Sequence, residues 1–530
     1  MDRLGQVPDH VLGLRRLLER KAGHAVELHE THISWVLVDD EFAYKLRKNI
    51  KLPFVDFSTL AARREDCQKE VTLNRRWAPN FYLGVVEVHG NDVLPGWDGP
   101  GQVVDFAVLM RRLPEGSLLK DLVAASRIKR DDMASLAKTI SDVHEAAPIA
   151  DMSSPASCAK GVGAALSNLL DQLQRSPLDD ADARRLDGIR AWVKAELARS
   201  SPWIEARALG GMVRDCHGDL HLGNIARTNE GWLLFDGLEF DDGLRRADVM
   251  SDLAFLTMDL KVHGCQELEF ALLDGYLQHT GDHEGVRLLR LYEVHRALVR
   301  LLVVRMRGLN AGLSSGDAYL SFITASMERG VASQPCLVLM HGLSGSGKSK
   351  LSADIAVSLP AVRARSDVER KRLFGLTELA DSKASHLDIY SAHANERTLK
   401  RLADCAEWAL QGGWSFVADA TFLLQADRDC FRALAQRTQC GFTIVHCEAE
   451  LDTLCRRTRA RGEAAKDASE ATESVIWHQI ASAEHLRPDE LECALTVCTE
   501  RQISSAGIAA ICQAIHVRWF VLECRDLHQP

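Results

Sequence analysis

Ten residues at 215–224, DCHGDLHLGN, place two aspartates, two histidines and an asparagine on one short segment. Three kinds of chemistry fit them. His217, Asp219 and His221 could bind a metal, although their alternate spacing lacks the helical geometry of HExxH sites. The polar side chains could also be structural and satisfy a buried loop. In a third interpretation, Asp219 accepts the proton of a substrate hydroxyl and Asn224, five residues later, binds Mg²⁺ during phosphoryl transfer.

The phosphoryl-transfer interpretation predicts partners elsewhere in the chain, and residues of the right type occur in the right order. A second metal-binding acid should follow a short strand, and LLFDGLEFDD supplies Asp236. A lysine on an early strand should hold the ATP phosphates, and FAYKLRK supplies Lys45. A glutamate on the next helix should pair with that lysine, which indicates Glu70, with Glu65 as the alternative.

This set of residues resembles the aminoglycoside phosphotransferase and choline-kinase-like branch of the protein-kinase fold, over roughly residues 20–325. The resemblance implies that Asp219 is the catalytic base and that His217 and His221 shape the loop. It also implies metal ligands and an ATP-binding pair, which would be Asn224 with Asp236 and Lys45 with Glu70. Asp252 in SDLAFLTMDL resembles a structural aspartate of the family's helical lobe.

The chain departs from that family pattern in two places. It has no GxGxxG phosphate flap, and the turn DDEF between the first strands is acidic. Glu239, Asp241 and Asp242 lie close to Asp236 in sequence and could share the metal. A kinase-like domain without catalytic activity therefore stays open as an alternative.

A second motif, GLSGSGKS at 342–349, fits the P-loop template GxxxxGK[ST] between an apolar strand and a helix. Its backbone N–H groups and the following helix N-terminus favour phosphate, Lys348 neutralises phosphate oxygens and Ser349 binds Mg²⁺. The alternative is a glycine-rich turn without nucleotide. The predicted ATP-binding residues of this loop are Gly342, Ser344, Gly345, Ser346, Gly347, Lys348 and Ser349.

Polar residues after the P-loop predict the rest of a kinase site. Asp367, at the expected end of the next strand, could act as base towards an acceptor bound by Arg370, although an N-cap aspartate would have the same spacing. Asp419 ends the strand of FVADAT and could hold magnesium. Arg457 and Arg461 share one helix face and could close over the phosphates of ATP, although a solvated helix would also carry them.

From about residue 335 to 530 the chain resembles small P-loop kinases, a group with zeta toxins, gluconate-kinase-like enzymes and the kinase domain of polynucleotide kinases. The P-loop, the pair Asp367 and Arg370, Asp419 and the later arginines carry this resemblance. It implies transfer of phosphate to a hydroxyl group. The order of the two parts resembles bacterial fusions described as aminoglycoside phosphotransferase family and ATP-binding proteins.

The expected elements place these residues in two domains. Helix 9–22 is followed by a strand-rich lobe of about 20–113, which includes strands within 33–48 and helix 59–77, and then by a helical lobe of about 117–330. Residues 1–330 are thus predicted to form a bilobal α+β domain of the protein-kinase type. Strands and helices alternate over 335–530, which predicts an α/β P-loop domain with a parallel sheet.

Composition restricts the possible partners and location. The net charge of −10 lacks the basic excess of a general nucleic-acid binder, so a nucleic-acid partner is not expected. The fourteen cysteines form no CxxC pair, which favours a reducing cytoplasm. The N-terminus has no signal-peptide pattern, and no stretch approaches the roughly 20 apolar residues of a membrane span.

The sequence therefore predicts two ATP- and Mg²⁺-dependent phosphotransferase sites that act on hydroxyl groups of small molecules. One alternative is a regulatory ATP-binding protein in which only one domain is catalytic. Another is a kinase of nucleotides, nucleic-acid ends or toxin type. The sequence names neither acceptor, and it does not decide the oligomeric state.

Overall fold

The structure is a computed structural model and describes residues 7–52, 55–90, 95–97, 101–175, 180–308, 314–332, 335–382, 387–464 and 467–526. The chain separates into two compact units. The first unit contains Met1–Ile128, Val143–Val162 and Arg207–Leu256. The second unit contains Lys129–Asp142, Gly163–Ala206 and Thr257–Pro530. The predicted division near residue 330 stays a prediction. Across the described ranges, no helix has the length and apolar character needed to cross a membrane.

The first unit begins with a six-stranded antiparallel sheet in the order β1-β2-β3-β8-β6-β7. Its first eleven helices and strands are α1 Asp9–Ala22, β1 Glu27–Glu30, β2 Ser34–Val38, β3 Phe42–Arg47, β4 Lys51–Leu52, β5 Val55–Asp56, α2 Leu60–Asn74, β6 Tyr82–His89, β7 Gly96–Trp97, β8 Val103–Arg111 and α3 Leu119–Ala124. Helices α1 and α2 thus match the two helices predicted for this region.

Both long helices of this unit are packed against the sheet by apolar residues at helical spacing. Val11, Leu14 and Leu18 of α1 are buried with strand residues such as Leu37. Helix α2 starts where the Thr59 side chain accepts a hydrogen bond from the N–H of Ala62. Its apolar residues join a separate core, so the polar side chains of α2 are held in fixed positions beside the sheet.

Helices and short hairpins follow along the chain, and the hairpins belong to the first unit. These elements are α4 Arg130–Ala146, α5 Ala159–Gln174, α6 Asp180–Leu209, β9 Val213–Asp215, β10 Ile225–Thr228, β11 Gly231–Leu234, α7 Asp242–Arg245, β12 Arg246–Asp248 and α8 Val249–Val262. Strands β10 and β11 pair, as do β9 and β12. Residues 216–224 connect β9 to β10 in the chain. The predicted loop and hairpin after residue 211 are therefore present.

The second unit contains a five-stranded parallel sheet in the order β14-β15-β13-β16-β17. Its remaining elements are α9 Gln266–Thr280, α10 Val286–Gly308, α11 Ser314–Ala332, β13 Cys336–His341, α12 Lys348–Ser358, β14 Ala361–Arg365, α13 Ser366–Leu373, α14 Ala392–Gln411, β15 Ser415–Asp419, α15 Gln425–Arg437, β16 Gly441–Glu448, α16 Leu451–Ala464, α17 Glu473–Ser482, α18 Pro488–Glu492, β17 Ala494–Cys498 and α19 Ser505–Asp526. Strand β13 is buried throughout, as expected for a central parallel strand.

The predicted fold class is confirmed, since an antiparallel sheet with helices precedes a parallel P-loop sheet. Two of the element boundaries that differ from the prediction lie near predicted site residues of the second unit. Strand β14 ends at Arg365, so Asp367 lies in the first turn of α13 and not at the end of the strand. The helix expected over 383–412 begins at Ala392, and residues 383–386 lie outside the described residues.

Candidate active sites

In the first unit, Lys45 lies between the two carboxylates that the sequence assigned to it. The Lys45 Nζ atom is 2.9 Å from Glu70 Oε1 and 2.5 Å from Asp236 Oδ1. Burial works against the charge of Lys45, but the carboxylates of Asp236 and Glu70 outweigh burial and raise its pKa. The alternative partner Glu65 is an exposed residue that pairs with Lys69. The structure thus brings Glu70, and not Glu65, to Lys45.

A second buried cation, Arg47, joins this cluster and was not foreseen. Its fully buried guanidinium donates hydrogen bonds to Asp66, Glu70 and Glu239, with Glu70 and Glu239 each 2.5 Å from Nη2. Burial raises the pKa of Glu239 to about 8, against the opposing charge of Arg47. The position of Arg47 two residues after Lys45 on the same strand was a usable signal, because alternate strand residues share a face.

Glu239 therefore pairs with Arg47, and the acids that follow it have other partners. Asp241 caps the short helix α7 by accepting hydrogen bonds from the N–H groups of Gly243 and Leu244. Asp242 pairs with Arg245. Neither acid is brought to Lys45, so Asp236 is the member of the segment DGLEFDD that contacts the lysine.

Residues of α2 and β6 hold the backbone around Asp236 in an uncommon conformation. Asp236 has a φ of 59°, which a non-glycine residue adopts only with support from its surroundings. Its N–H donates to the buried Tyr82 hydroxyl at 2.9 Å, and the N–H of Gly237 donates to Asn74 Oδ1 at 2.7 Å. Asn74 lies one helical turn after Glu70, so α2 supports both the partner of Lys45 and the segment that carries Asp236.

Asp219 and Asn224 contact each other across the loop that motivated the kinase interpretation. The Nδ2 group of Asn224 donates to the main-chain oxygen and to Oδ2 of Asp219, each at 3.0 Å, and lies 3.5 Å from the main-chain oxygen of Asp236. His221 accepts a hydrogen bond from the N–H of Gly223 at Nδ1, and its Nε2 is 3.5 Å from Asp219 Oδ2. The structure thus brings Asp219, Asn224 and Asp236 together.

The buried side chain of Asp252 holds the backbone of this loop at His217 and Gly218. Asp252 accepts hydrogen bonds from the N–H groups of His217 at 3.0 Å and Gly218 at 2.9 Å, and its Oδ2 is 3.2 Å from His144 Nε2. The pKa of His217 is lowered by burial, although the carboxylates of Asp252 and Asp219 oppose the shift. Among the described residues, His217, Asp219 and His221 do not lie close enough together to form a three-residue metal site.

In the second unit, the GLSGSGKS segment forms a loop between β13 and α12. Gly342 has a φ of 133° and Gly345 a φ of 84°, and a Cβ atom would lie 2.5 Å from Cys447 O and 2.7 Å from Leu454 O, respectively. These positions therefore require glycine, because the backbone passes close to neighbouring carbonyls. Gly347 is the N-cap of α12, whose N-terminus faces the loop.

Ser349 and Asp419 meet at the edge of the sheet, together with a third polar residue. Ser349 Oγ donates to Asp419 Oδ1 at 3.2 Å, and Ser352 Oγ lies 3.1 Å from Asp419 Oδ2. Lys348 Nζ donates to the main-chain oxygen of Leu343 at 2.7 Å. Burial lowers the pKa of Lys348, although Asp419 opposes that shift. Hydroxyl and carboxylate oxygens are the ligands that Mg²⁺ prefers, so these residues fit that ion.

A cavity of about 1370 Å³ joins the P-loop to Asp367, Arg370, Arg457 and Arg461. Arg370 donates from Nη1 to Ile389 O at 2.9 Å and to Asn395 Oδ1 at 2.6 Å. Its Nε atom is buried without a hydrogen-bond partner in the part of the chain that the structure describes. Burial lowers the pKa of Arg370, although Asp367 opposes the shift. Both residues predicted for acceptor chemistry in this domain, Asp367 and Arg370, thus line the cavity.

Arg457 and Arg461 both line the cavity, as their spacing on one helix face predicted. Arg457 Nη1 is 3.4 Å from Gly345 O, and its Nη2 donates to Thr499 O at 2.6 Å. Arg457 therefore contacts the backbone of the P-loop directly, and α16 is held against that loop.

Two further P-loop contacts were missed by sequence reasoning. Gln479 of α17 accepts a hydrogen bond from the N–H of Ser344 at 2.8 Å and donates to Ser344 Oγ at 3.0 Å. Thr499 donates to Ser346 O at 2.8 Å. Neither residue belongs to a spaced motif, so only the folded chain reveals them.

The chain is similar to several known proteins. A family model described as an AAA domain matches residues 337–486. An uncharacterized protein of Mycobacterium tuberculosis is 27% identical over 451 residues, which cover 84% of this chain and 88% of that protein. An uncharacterized protein of Mycobacterium bovis matches with the same values.

Two solved structures are similar in fold to portions of the chain. A gluconokinase from Sinorhizobium meliloti is 17% identical and covers 36% of this chain and 98% of its own, with a TM-score of 0.27. A choline/ethanolamine kinase family protein from Mesorhizobium loti is 12% identical and covers 60% of this chain and 95% of its own, with a TM-score of 0.38. The family-model match lies within the P-loop domain predicted from the sequence, and both structural likenesses are likenesses of fold alone.

Proposed function

We propose that the protein is an ATP-dependent phosphotransferase with two nucleotide sites, each of which transfers the γ-phosphate of ATP to a hydroxyl group of a small molecule. The observation that carries the proposal is the assembly of Ser349, Asp419 and Lys348 in one cavity with Asp367 and Arg370. A cavity of about 1370 Å³ is large enough for a nucleotide and a second small molecule.

In the first site, Asp219 accepts the proton of the acceptor hydroxyl, because its carboxylate is held by Asn224 and about one third of its side chain is exposed. Lys45 holds ATP phosphates, and its pairing with Glu70 fixes the position of the ammonium group. The ion pair between Lys45 and Asp236 also keeps Asp236 ionised, because the lysine lowers the pKa of that carboxyl against the effect of burial.

In the P-loop site, Lys348 and the N–H groups of the loop bind the phosphates of ATP, and Arg457 and Arg461 cover them. Asp367 orients the acceptor hydroxyl from the first turn of α13. When bound by Asn224 and Asp236 in one site and by Ser349 and Asp419 in the other, Mg²⁺ would neutralise charge on the phosphate oxygens.

Arg370 favours an acceptor that carries an anionic group in addition to its hydroxyl. Its guanidinium lines the cavity, and the partners of Nη1 are a carbonyl and an amide oxygen. Its Nε has no partner among the described residues. A guanidinium with donors to spare binds carboxylate or phosphate more strongly than a neutral group.

The test is a screen of hydroxylated metabolites with γ-labelled ATP, including sugar acids, phosphorylated sugars, amino alcohols and neutral sugars. Two variants, Lys45→Ala and Lys348→Ala, assign each product to one site, and circular dichroism verifies that both variants are folded. We expect one class of labelled product to disappear in each variant. We also expect the product that needs Lys348 to derive from an anionic acceptor.

Other outcomes would support the alternatives. Loss of every product from either variant would indicate that one nucleotide site regulates the other. Labelling of oligonucleotide ends in the same assay, with steep dependence on salt, would indicate a nucleic-acid kinase. If no acceptor were labelled and ATP did not bind, the proposal would be wrong.

A further inference from the structure

Helix α9 lies more than 50 residues before the P-loop in sequence and forms a buried ion pair with the P-loop sheet. Asp274 of α9 and Arg363 of β14 are both less than 10% exposed. Arg363 Nε is 3.0 Å from Asp274 Oδ1, and its Nη2 is 2.6 Å from Asp274 Oδ2. This is the two-pronged geometry in which a guanidinium binds a carboxylate most strongly.

The third nitrogen of Arg363 reaches the residues that fit magnesium. Its Nη1 donates to Ser349 O at 2.9 Å and to Ser352 Oγ at 3.2 Å, and it lies 3.9 Å from Asp419 Oδ2. The same Ser352 hydroxyl is 3.1 Å from Asp419 Oδ2. Asp274 is therefore connected to Asp419 through one arginine and one serine.

Helix α9 is fixed in this position by apolar packing and by capping of its C-terminus. Phe270 of α9 belongs to the same buried core as Leu351 and Ile355 of α12. Arg372 of α13 donates from Nη1 to His279 O at 3.0 Å, and Arg401 of α14 donates to Gly281 O at 2.6 Å. A carboxylate on this helix therefore occupies a defined place beside the P-loop sheet.

The carboxylate of Asp274 neutralises the buried positive charge of Arg363. A buried guanidinium that lacks a carboxylate partner is costly, and it will turn towards another one within reach. Asp419 is within reach, because 3.9 Å separates its Oδ2 from Arg363 Nη1. An arginine paired with Asp419 would occupy oxygens that a cation needs.

We propose that Asp274 is a positioning residue of the P-loop site. It binds Arg363 and so leaves the carboxylate of Asp419 available for Mg²⁺. The inference rests on the proposed function of the P-loop site. It implies that residues 335–530 need α9 in order to bind MgATP normally.

The test measures ATP binding by titration calorimetry, with Mg²⁺ and with EDTA, on the full chain. ATP binding at the P-loop site is identified as the binding event that is lost in Lys348→Ala. In Asp274→Asn, we expect the Mg²⁺ concentration needed for half-maximal ATP binding to rise about 10-fold or more. ATP affinity in EDTA should stay unchanged, because the loop N–H groups and Lys348 act without a metal.

A second variant separates positioning from simple loss of stability. In Asp274→Asn/Arg363→Gln, the guanidinium that would turn towards Asp419 is absent, and Arg365 Nε stays 3.7 Å from Asp419 Oδ2 as in the wild type. The Mg²⁺ requirement should therefore return towards the wild-type value. The matched control is Asp248→Asn, which breaks another buried two-pronged pair, with Arg207, in the first unit. It should lower thermal stability without changing the Mg²⁺ requirement.

The possible failures can be told apart. If wild-type protein shows no ATP binding that depends on Lys348, the proposed function of this site fails. If wild-type protein needs Mg²⁺ but Asp274→Asn has the same requirement as wild type, the positioning role alone is refuted. The positioning role would also be refuted if the double variant needed a higher Mg²⁺ concentration for half-maximal ATP binding than Asp274→Asn does.

Discussion

Ser349 Oγ lies 3.2 Å from Asp419 Oδ1, although seventy positions separate the two residues in the chain. Ser349 lies in the first turn of α12, and Asp419 ends the neighbouring parallel strand β15. The carboxyl ends of parallel strands meet at one edge of a sheet, which is where such folds bind ligands. The pair therefore marks the phosphate edge of the second unit.

Ser349→Ala and Asp419→Asn are expected to weaken MgATP binding by overlapping amounts. In the proposed site, each change removes one oxygen ligand of the same Mg²⁺ ion, so the effect of the double variant should be smaller than the two single effects together. The expected coupling is about 0.5–3 kcal/mol in a double-mutant cycle measured by calorimetry. Fully additive losses would mean that the two side chains do not share a ligand.

Asp219→Asn should slow phosphate transfer by the first site at least about 100-fold, the usual contribution of a general base. ATP affinity should change little, because Lys45 and Glu70 remain in place. The measurement is single-turnover transfer to the acceptor identified for that site. Asp242→Asn is the control, since Asp242 pairs with Arg245. Transfer by Asp219→Asn at the wild-type rate would exclude the base role.

Glu70→Gln should lower the free energy of unfolding by about 3–5 kcal/mol, because the glutamate is fully buried and pairs with both Lys45 and Arg47. Urea unfolding followed by circular dichroism measures the loss. Glu65→Gln on the same helix is the matched control, since Glu65 is exposed. Equal stability of the two variants would contradict the pairing seen around Lys45.

Arg457→Ala should raise the dissociation constant of ATP at the P-loop site about tenfold, since one charge-assisted contact is lost and the loop loses its brace at Gly345. Arg459→Ala on the same helix should have no effect, because Arg459 is exposed and pairs with Glu473. A similar change in both variants would indicate a general effect on α16.

The stability of the first unit should depend on pH through Glu239, whose pKa is raised to about 8. The folded protein then keeps a proton that the unfolded chain releases above its ordinary pKa of 4.5. The stabilisation is present in full below pH 4.5 and is lost as pH rises towards 8. The slope is at most about 1.4 kcal/mol per pH unit.

Urea titrations of wild type and Glu239→Gln at several values between pH 5 and 8 isolate this contribution. The difference in unfolding free energy between the two proteins should vary with pH in the stated direction. A constant difference would show that Glu239 is ionised throughout this range.

Local patterns identified much of the candidate sites before the fold was known. The P-loop glycines, Lys348 and Ser349 follow one another in the chain, so their geometry is set by a single strand, turn and helix. Asp219 and Asn224 belong to one short loop for the same reason. Lys45 and Asp236 could be selected because Lys45 lies on a recognisable strand and Asp236 closely follows another.

Other residues carried no such signal. Asn74, Tyr82 and Gln479 support the sites through hydrogen bonds from distant elements, and any exposed polar residue has the same appearance in sequence. The choice between Glu70 and Glu65 was likewise open, because both lie on α2. The orientation of α2 about its own axis in the folded protein buries Glu70 and exposes Glu65.

The sequence by itself determined the two motifs, the fold class and the residue types available for phosphate and metal, because these depend on short-range spacing and periodicity. Only the tertiary structure decided which charges share a buried environment. Arg47 with three carboxylates and Asp274 with Arg363 are pairings between separate elements, and burial gives them their energetic weight. Such pairings arise from packing, which no local pattern encodes.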